Sequence, residues 1–208
     1  PNGRVLVLAA HPDDESLGCG GILALHNRQG NPIKVIFVTS GMTGDPQGYY
    51  RGLDYRELRR NEARKATRVL GIEALEFWDY PDGKLPEASD LSVRLLALLR
   101  REKPDIVYRP SLDEIHPDHW ALASAFAEAS QQYEWSLMDY CYEVWGTVQP
   151  THVIDISPVW ERKAKAIGQY ESQLRYNDYF HVFSGLSAYR TLFLHTAKHA
   201  EAYQEAKR

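Results

Sequence analysis

Arg4-Val5-Leu6-Val7-Leu8-Ala9-Ala10, followed without a break by His11-Pro12-Asp13-Asp14-Glu15, is the stretch from which the fold can be read. The first seven residues carry almost continuous Val and Leu with no polar alternation. A strand with one wet face alternates; a strand buried on both faces does not, and such strands belong to parallel sheets covered on each side. The apolar run then stops at a cluster of ionisable groups. In open parallel sheets, ligands bind beyond the carboxyl ends of the strands, so this junction is where chemistry is expected.

Working outward, Ile33–Thr39 (IKVIFVT), 74–78 (ALEFW) and 105–109 (DIVYR) read as three more buried strands. Between and after them lie helix-length stretches at 19–29, Tyr55–Leu70, 91–99 and 120–131, with Gly30 and Gly71 at two of the stops. The later sequence predicts strands at 141–145 and 152–156 and helices near 158–173 and 189–207. Strands separated by helices imply right-handed βαβ units. The expectation is an α/β fold: a Rossmann-like three-layer sandwich with a mostly parallel sheet, strand order about 3-2-1-4-5, in a single domain over 1–208.

Composition narrows the function. The chain has 208 residues, 44% hydrophobic and 25% charged, with a net charge of −4. An acidic balance speaks against nucleic acid as a partner, which calls for a basic face. No apolar run approaches the roughly 20 residues of a membrane span. Pro1-Asn2-Gly3-Arg4 lacks a signal-peptide layout. Cys19 and Cys141 cannot build a disulfide framework. A cytoplasmic location is therefore expected.

The motif after strand 1 has an echo. His116-Pro117-Asp118-His119 follows strand 4 and repeats the order His, Pro, Asp, then a metal-capable residue at the fourth position. Pro suits the first turn of a helix, and residues three apart share a helix side. Strands 1 and 4 flank the switch point of the predicted order, so both loops should face one crevice. That many acids and imidazoles cannot gather without a cation or large pKa shifts. Imidazole and carboxylate ligands suit zinc, and a catalytic zinc keeps three protein ligands and an open position.

HPDDE after a first strand with HPDH about a hundred residues later resembles the PIG-L/LmbE-like N-acetylglucosaminyl deacetylases. Arg59-Arg60-Asn61-Glu62 with Leu70-Gly71, the turn Tyr80-Pro81-Asp82-Gly83, Ser172-Gln173 and Ala200-Glu201-Ala202-Tyr203 are similar to further segments of that family. The resemblance implies a zinc-dependent hydrolase that removes acetyl from an N-acetylglucosamine-type conjugate. It implies His11, Asp14 and His119 as zinc ligands and Asp13 as general base. It also implies His116 as electrophilic or acid partner, with Asp118 orienting and charging His116. The physics is compatible: Asp14 and His119 hold the fourth position of each loop and can converge, while Asp13 is left to take a proton. Arg59, with Arg60 as its rival, and Asp82 are the expected substrate contacts. A small amino-sugar conjugate is the implied partner, and a trimer or hexamer the implied assembly; iron or cobalt are alternatives to zinc.

Other features carry plainer expectations. Glu15 and Ser16 can support the site or cap the helix. Gly18, Gly20 and Gly21 do not fit the dinucleotide fingerprint and suggest close helix–sheet packing. Met42 and Glu114 depart from the family pattern, Glu114 standing where some relatives carry an aromatic. Tyr49, Tyr50, Trp120, Tyr176, Tyr179 and Phe180 can stack on sugar faces or simply pack. Two rival readings stand beside the deacetylase: another metal-dependent hydrolase of a sugar or nucleotide substrate, either an amidase or a two-metal phosphoesterase, and a non-catalytic sugar- or nucleotide-binding Rossmann domain. The aglycone is open among malate, inositol, antibiotic and chito-oligosaccharide types.

Overall fold

A computed structural model describes residues 2–206. Seven strands form one sheet: β1 (Val5–Ala9), β2 (Ile33–Thr39), β3 (Ala74–Tyr80), β4 (Ile106–Pro110), β5 (Met138–Tyr142), β6 (His152–Asp155) and β7 (Ala200–Glu205). Their order is β3-β2-β1-β4-β5-β7-β6. The first five are parallel, with Val7 opposite Val35 on one side and Tyr108 on the other. β7 enters antiparallel between β5 and β6. The expected order 3-2-1-4-5 is present and is extended by two strands.

Unbroken apolar strands serve two cores. Val5, Val7 and Ala9 of β1 face α1 (Asp14–Arg28), α2 (Tyr55–Leu70) and α5 (Trp160–Ile167). Leu6 and Leu8 face α3 (Leu91–Glu102) and α4 (Pro117–Gln131), against Leu95, Leu99, Leu122 and Phe126. Both Leu6 and Leu8 are essentially fully buried, and burial of each side chain stabilises by about 1.5–3 kcal/mol. This is the three-layer sandwich. Among the described residues no helix is long and apolar enough to cross a membrane.

α1 begins at Asp14, five residues before the expected 19, because the HPDD corner is itself the helix start. The glycines allow close approach: a Cβ on Gly18 would lie 2.4 Å from Tyr142 and one on Gly21 2.6 Å from Ile156. α1 kinks at Cys19, and Glu201 accepts the Gly21 and Ile22 N–H groups at 2.7 and 2.8 Å, with Lys163 Nζ 2.6 Å from the same carboxylate. α2 matches its expected bounds, capped by Asp54 and ended by left-handed Gly71.

The second half departs from expectation. The helix expected over 189–207 is replaced by α7 (Tyr179–Arg190) and strand β7; Lys207 lies outside the described residues. Ala, Glu and Gln favour helix, but pairing on both edges and burial of Ala200, Ala202 and Tyr203 override that preference. The helix expected over 158–173 breaks at Gly168 into α5 and the short α6 (Glu171–Leu174). The strand expected over 141–145 is displaced to Met138–Tyr142 by register with β4, leaving Glu143 onward as loop.

Candidate active site

Because β1 and β4 are parallel neighbours, the loops that leave them emerge side by side. His11 follows β1, and Asp13 and Asp14 open α1. His116 is the N-cap of α4, with Pro117, Asp118 and His119 in its first turn. Asp82 comes from the turn after β3, Trp145 from the loop after β5, and Gln173 to Tyr179 from α6 and the start of α7.

His11, Asp14 and His119 come together. His11 Nδ1 lies 3.1 Å from His119 Nε2 and 3.8 Å from Asp14 Oδ2, and the latter two atoms are 3.3 Å apart. Bonds of about 2.0–2.1 Å to a tetrahedral ion would put ligand atoms roughly 3.3 Å apart. Asp14 is held in place by the His11 backbone N–H, which donates to Oδ2 at 2.8 Å. Ligand atoms of His11, His116 and His119, and of His11, Asp82 and Asp118, also gather within 4.8 Å. The His11–Asp14–His119 set matches a tetrahedral edge best.

Behind His11 stand two acids. His11 Nε2 is 3.1 Å from Asp118 Oδ2 and 3.0 Å from Asp82 Oδ1. This gives Nε2 the proton and leaves a lone pair on Nδ1, the arrangement in which carboxylates orient metal-ligating imidazoles. Asp118 is fixed by the Gly83 and Leu85 N–H groups at 2.7 and 3.1 Å. Asp82 is fixed by the Thr43 N–H and hydroxyl, both donating at 2.8 Å. Burial opposes protonation of His11, but the hydrogen bonds to Asp118 and Asp82 hold it up at about 10. Burial likewise opposes protonation of His119, and Asp14 raises it to about 9. The three convergent atoms therefore sit where positive charge is favoured, and a divalent cation fits that donor set.

The resemblance implied that Asp118 orients His116, and the Asp118 carboxylate instead contacts His11. That carboxylate is committed to His11 and the 83–85 turn, while His116 Nδ1 accepts the Asp118 backbone N–H at 3.2 Å. The neutral His116 ring thus carries its proton on Nε2. Burial, and then the charges of His11 and His119, lower its pKa below the usual imidazole value rather than raising it.

Arg59 is not a free substrate contact either. It is 2% exposed. Its guanidinium donates to Asp13 Oδ2 at 3.0 Å, to Glu62 Oε2 at 3.3 Å, to Ser172 Oγ at 3.4 Å and to the Pro12 carbonyl. Long-range packing of α2 on the HPDD corner draws it inward, which residue type alone could not reveal. Arg60, its rival, pairs with Asp79 and Glu57. Asp13 adopts φ 134°, a left-handed-side conformation that costs a non-glycine residue about 1–3 kcal/mol. Its side chain makes no cap hydrogen bond and lines the cavity instead. Burial raises its carboxyl to about 6 against the opposing charge of Arg59. Glu15 accepts from the Asp13 N–H at 3.2 Å, the Ser16 hydroxyl at 2.6 Å and the Tyr170 hydroxyl at 2.6 Å, and so supports the strained corner.

Glu114 has a role that the sequence did not disclose. Buried, it accepts the backbone N–H groups of Val144, Trp145 and Gly146 at 3.1 to 3.3 Å. Its Oε2 is also 3.8 Å from His119 Nδ1, a buried donor without a hydrogen-bond partner. The clamp presents Trp145, 47% exposed, with its ring stacked 6.3 Å from His116. The only hint in the sequence was a carboxylate at an atypical position. A cavity of about 230 Å³ joins Asp13, Asp14, His11, His116 and Asp82 to Trp145, Gln173, Tyr176 and Tyr179. Tyr49 packs on Tyr176 beside it, whereas Trp120, half-exposed, is not among the residues lining it.

A Rossmann-type sheet with two His-Pro-Asp corners meeting in an acid-rich, imidazole-rich cavity at the switch point defines the class of protein. The chain belongs to the PIG-L family: the family model described as GlcNAc-PI de-N-acetylase matches residues 6–130. The diacetylchitobiose deacetylase of Thermococcus kodakarensis is 27% identical over 186 residues, which cover 82% of this chain and 70% of that one. The 4-oxalmesaconate hydratase of Pseudomonas putida is 29% identical over 189 residues, covering 80% and 72%. In three dimensions, the N,N'-diacetylchitobiose deacetylase of Pyrococcus horikoshii superposes with a TM-score of 0.87 at 23% identity, covering 98% of this chain and 83% of that one.

Proposed function

We propose that this chain is a zinc-dependent deacetylase that releases acetate from an N-acetylglucosamine-type sugar conjugate. The observation that carries the reading is the convergence of His11 Nδ1, Asp14 Oδ2 and His119 Nε2 within 3.8 Å of one another, beside a cavity that also holds Asp13 and His116. A divalent ion held by His11, Asp14 and His119 would supply Lewis-acid polarisation of the amide carbonyl and acidify a water.

The chain's own residues do the rest. Asp13 accepts the proton of the attacking water; its carboxyl, raised towards neutrality, is matched to that task. Arg59 keeps Asp13 in its strained pose and balances its charge. The His116 Nε2–H donates a hydrogen bond to the oxyanion as the carbonyl becomes tetrahedral, keeping its own proton. Asp13, now protonated, returns the proton to the departing amine, leaving acetate and a free amino sugar. Asp82 and Asp118 hold His11, and Asp82 also borders the substrate space.

Cys19 and Cys141 are free and buried, which suits a reducing cytoplasm. Assembly as a trimer or hexamer belongs to the same reading, and light scattering measures it.

The deciding experiment is acetate release from a panel of N-acetylglucosamine conjugates, with and without a chelator. Release that the chelator stops and zinc restores is expected. Hydration of an unsaturated acid with no acetate from any amide would favour the chemistry named for the Pseudomonas relative. Release unaffected by the chelator would remove the metal from the mechanism.

A further inference from the structure

We propose that the cavity selects an uncharged glycan, with the ring beyond the scissile acetamide seated on Trp145. This rests on the deacetylase reading of the same site.

Charge is the first argument. Among the described residues that line the cavity, Arg59 is the one Lys or Arg side chain. Its charge is already balanced by Asp13 at 3.0 Å and Glu62 at 3.3 Å. The lining acids are Asp13, Asp14 and Asp82. The walls above this floor are neutral: Thr43, Pro46, Trp145, Tyr176, Asn177 and Tyr179. Nearby Arg175 is laid over the Tyr49 ring at 4.1 Å and is not part of the lining. Beyond the groups that face the acetamide, a carboxylate or phosphate on the aglycone would shed water here without meeting an unpaired Lys or Arg side chain, and an unpaired anion is costly to desolvate.

Shape is the second argument. Trp145 is 47% exposed although it adjoins His116. The Glu114 carboxylate holds its backbone through three successive N–H groups, and the His116 and Tyr179 rings flank the indole. The Tyr179 ring stands edge-on to the indole, 79° between planes at 6.5 Å. The two rings form a corner next to His116. Amphipathic aromatic rings of this kind suit a sugar, whose C–H face is apolar and whose hydroxyls point sideways to groups such as Asn177.

The test uses the full chain loaded with zinc and three soluble probes: the β-1,4 dimer of N-acetylglucosamine, an N-acetylglucosaminide of malate, and N-acetylglucosamine 1-phosphate. The neutral dimer is expected to show kcat/KM at least tenfold above either anionic probe. Trp145→Ala is expected to raise KM for the dimer about tenfold, with a smaller effect on kcat, and Trp145→Phe to recover most of the loss. Equal or better turnover of an anionic probe, or an unchanged KM in Trp145→Ala, overturns the proposal. If no probe releases acetate, the deacetylase reading falls, and calorimetric binding of the same probes still reads selectivity. Tighter binding of the dimer then supports the neutral-glycan site, and tighter binding of an anionic probe refutes it.

Discussion

Asp13 and Asp118 hold the third position of the two His-Pro-Asp corners and do different work. Asp13 makes no hydrogen bond to the convergent atoms of His11, Asp14 and His119, and its carboxylate faces Arg59 and the cavity. Asp13→Asn should lower kcat by about 10²–10⁴, the usual worth of a general base, while one zinc per chain remains by atomic absorption; near-normal turnover would exclude the base role. Asp118 never reaches the convergent atoms, yet it grips His11 from behind at 3.1 Å. Asp118→Asn should therefore weaken zinc affinity about 10–100-fold, and competition with a chromogenic chelator measures it. The His-Pro-Asp residues themselves were legible, because spacing on two adjacent strands predicts that they meet. Their second partners were not. Whether Asp118 faces His116 or His11, and whether Arg59 faces substrate or Asp13, depends on contacts between segments 46 to 107 residues apart.

At the scale of elements, α1 is the most constrained. Its glycines are there because Tyr142 and Ile156 occupy the space a Cβ needs. Gly18→Ala should cost about 1–3 kcal/mol through overpacking, seen as a lower urea midpoint; an unchanged midpoint would mean that the interface has slack. The kink at Cys19 depends on Glu201, which satisfies two freed N–H groups and neutralises buried Lys163. Glu201→Ala leaves that cation unpaired and should destabilise by about 3–5 kcal/mol; adding Lys163→Met should recover part of the loss if the stranded charge is the cause. Legibility differed between elements for a physical reason. α2 could be placed to the residue because its signals are local: a capping Asp54 and a left-handed Gly71. β7 could not, because Ala200 to Glu205 become a strand only through two neighbours from earlier in the chain.

The molecule as a whole carries a pH response away from the site. His26 is buried, with Nε2 3.0 Å from the Tyr108 hydroxyl and Nδ1 2.8 Å from the Asn31 amide, which donates to it. Burial lowers its pKa to about 4, against about 6.5 in an unfolded chain. Between those values the unfolded state binds the extra proton. Stability from this group is therefore complete above about pH 6.5 and is lost as pH falls towards 4, by roughly 3 kcal/mol in all. Denaturation series from pH 7.5 to 4.5 should show that limb, and His26→Gln should flatten it; an identical slope in the variant would assign the limb to other groups.

The placement of β7 bears on how the protein is made. Its residues pair with strands synthesised roughly 45 to 65 positions earlier. A nascent chain emerging in order would hold β5 with an open edge, and β6 without any partner, until the last of these residues clears the ribosome. Sheet closure and the carboxylate that secures the bend in α1 then arrive together on one six-residue segment. Translation pauses or chaperone holding between β6 and the emergence of β7 should consequently affect yield far more than events around the first two strands, because exposed edges are the aggregation-prone surfaces of such intermediates.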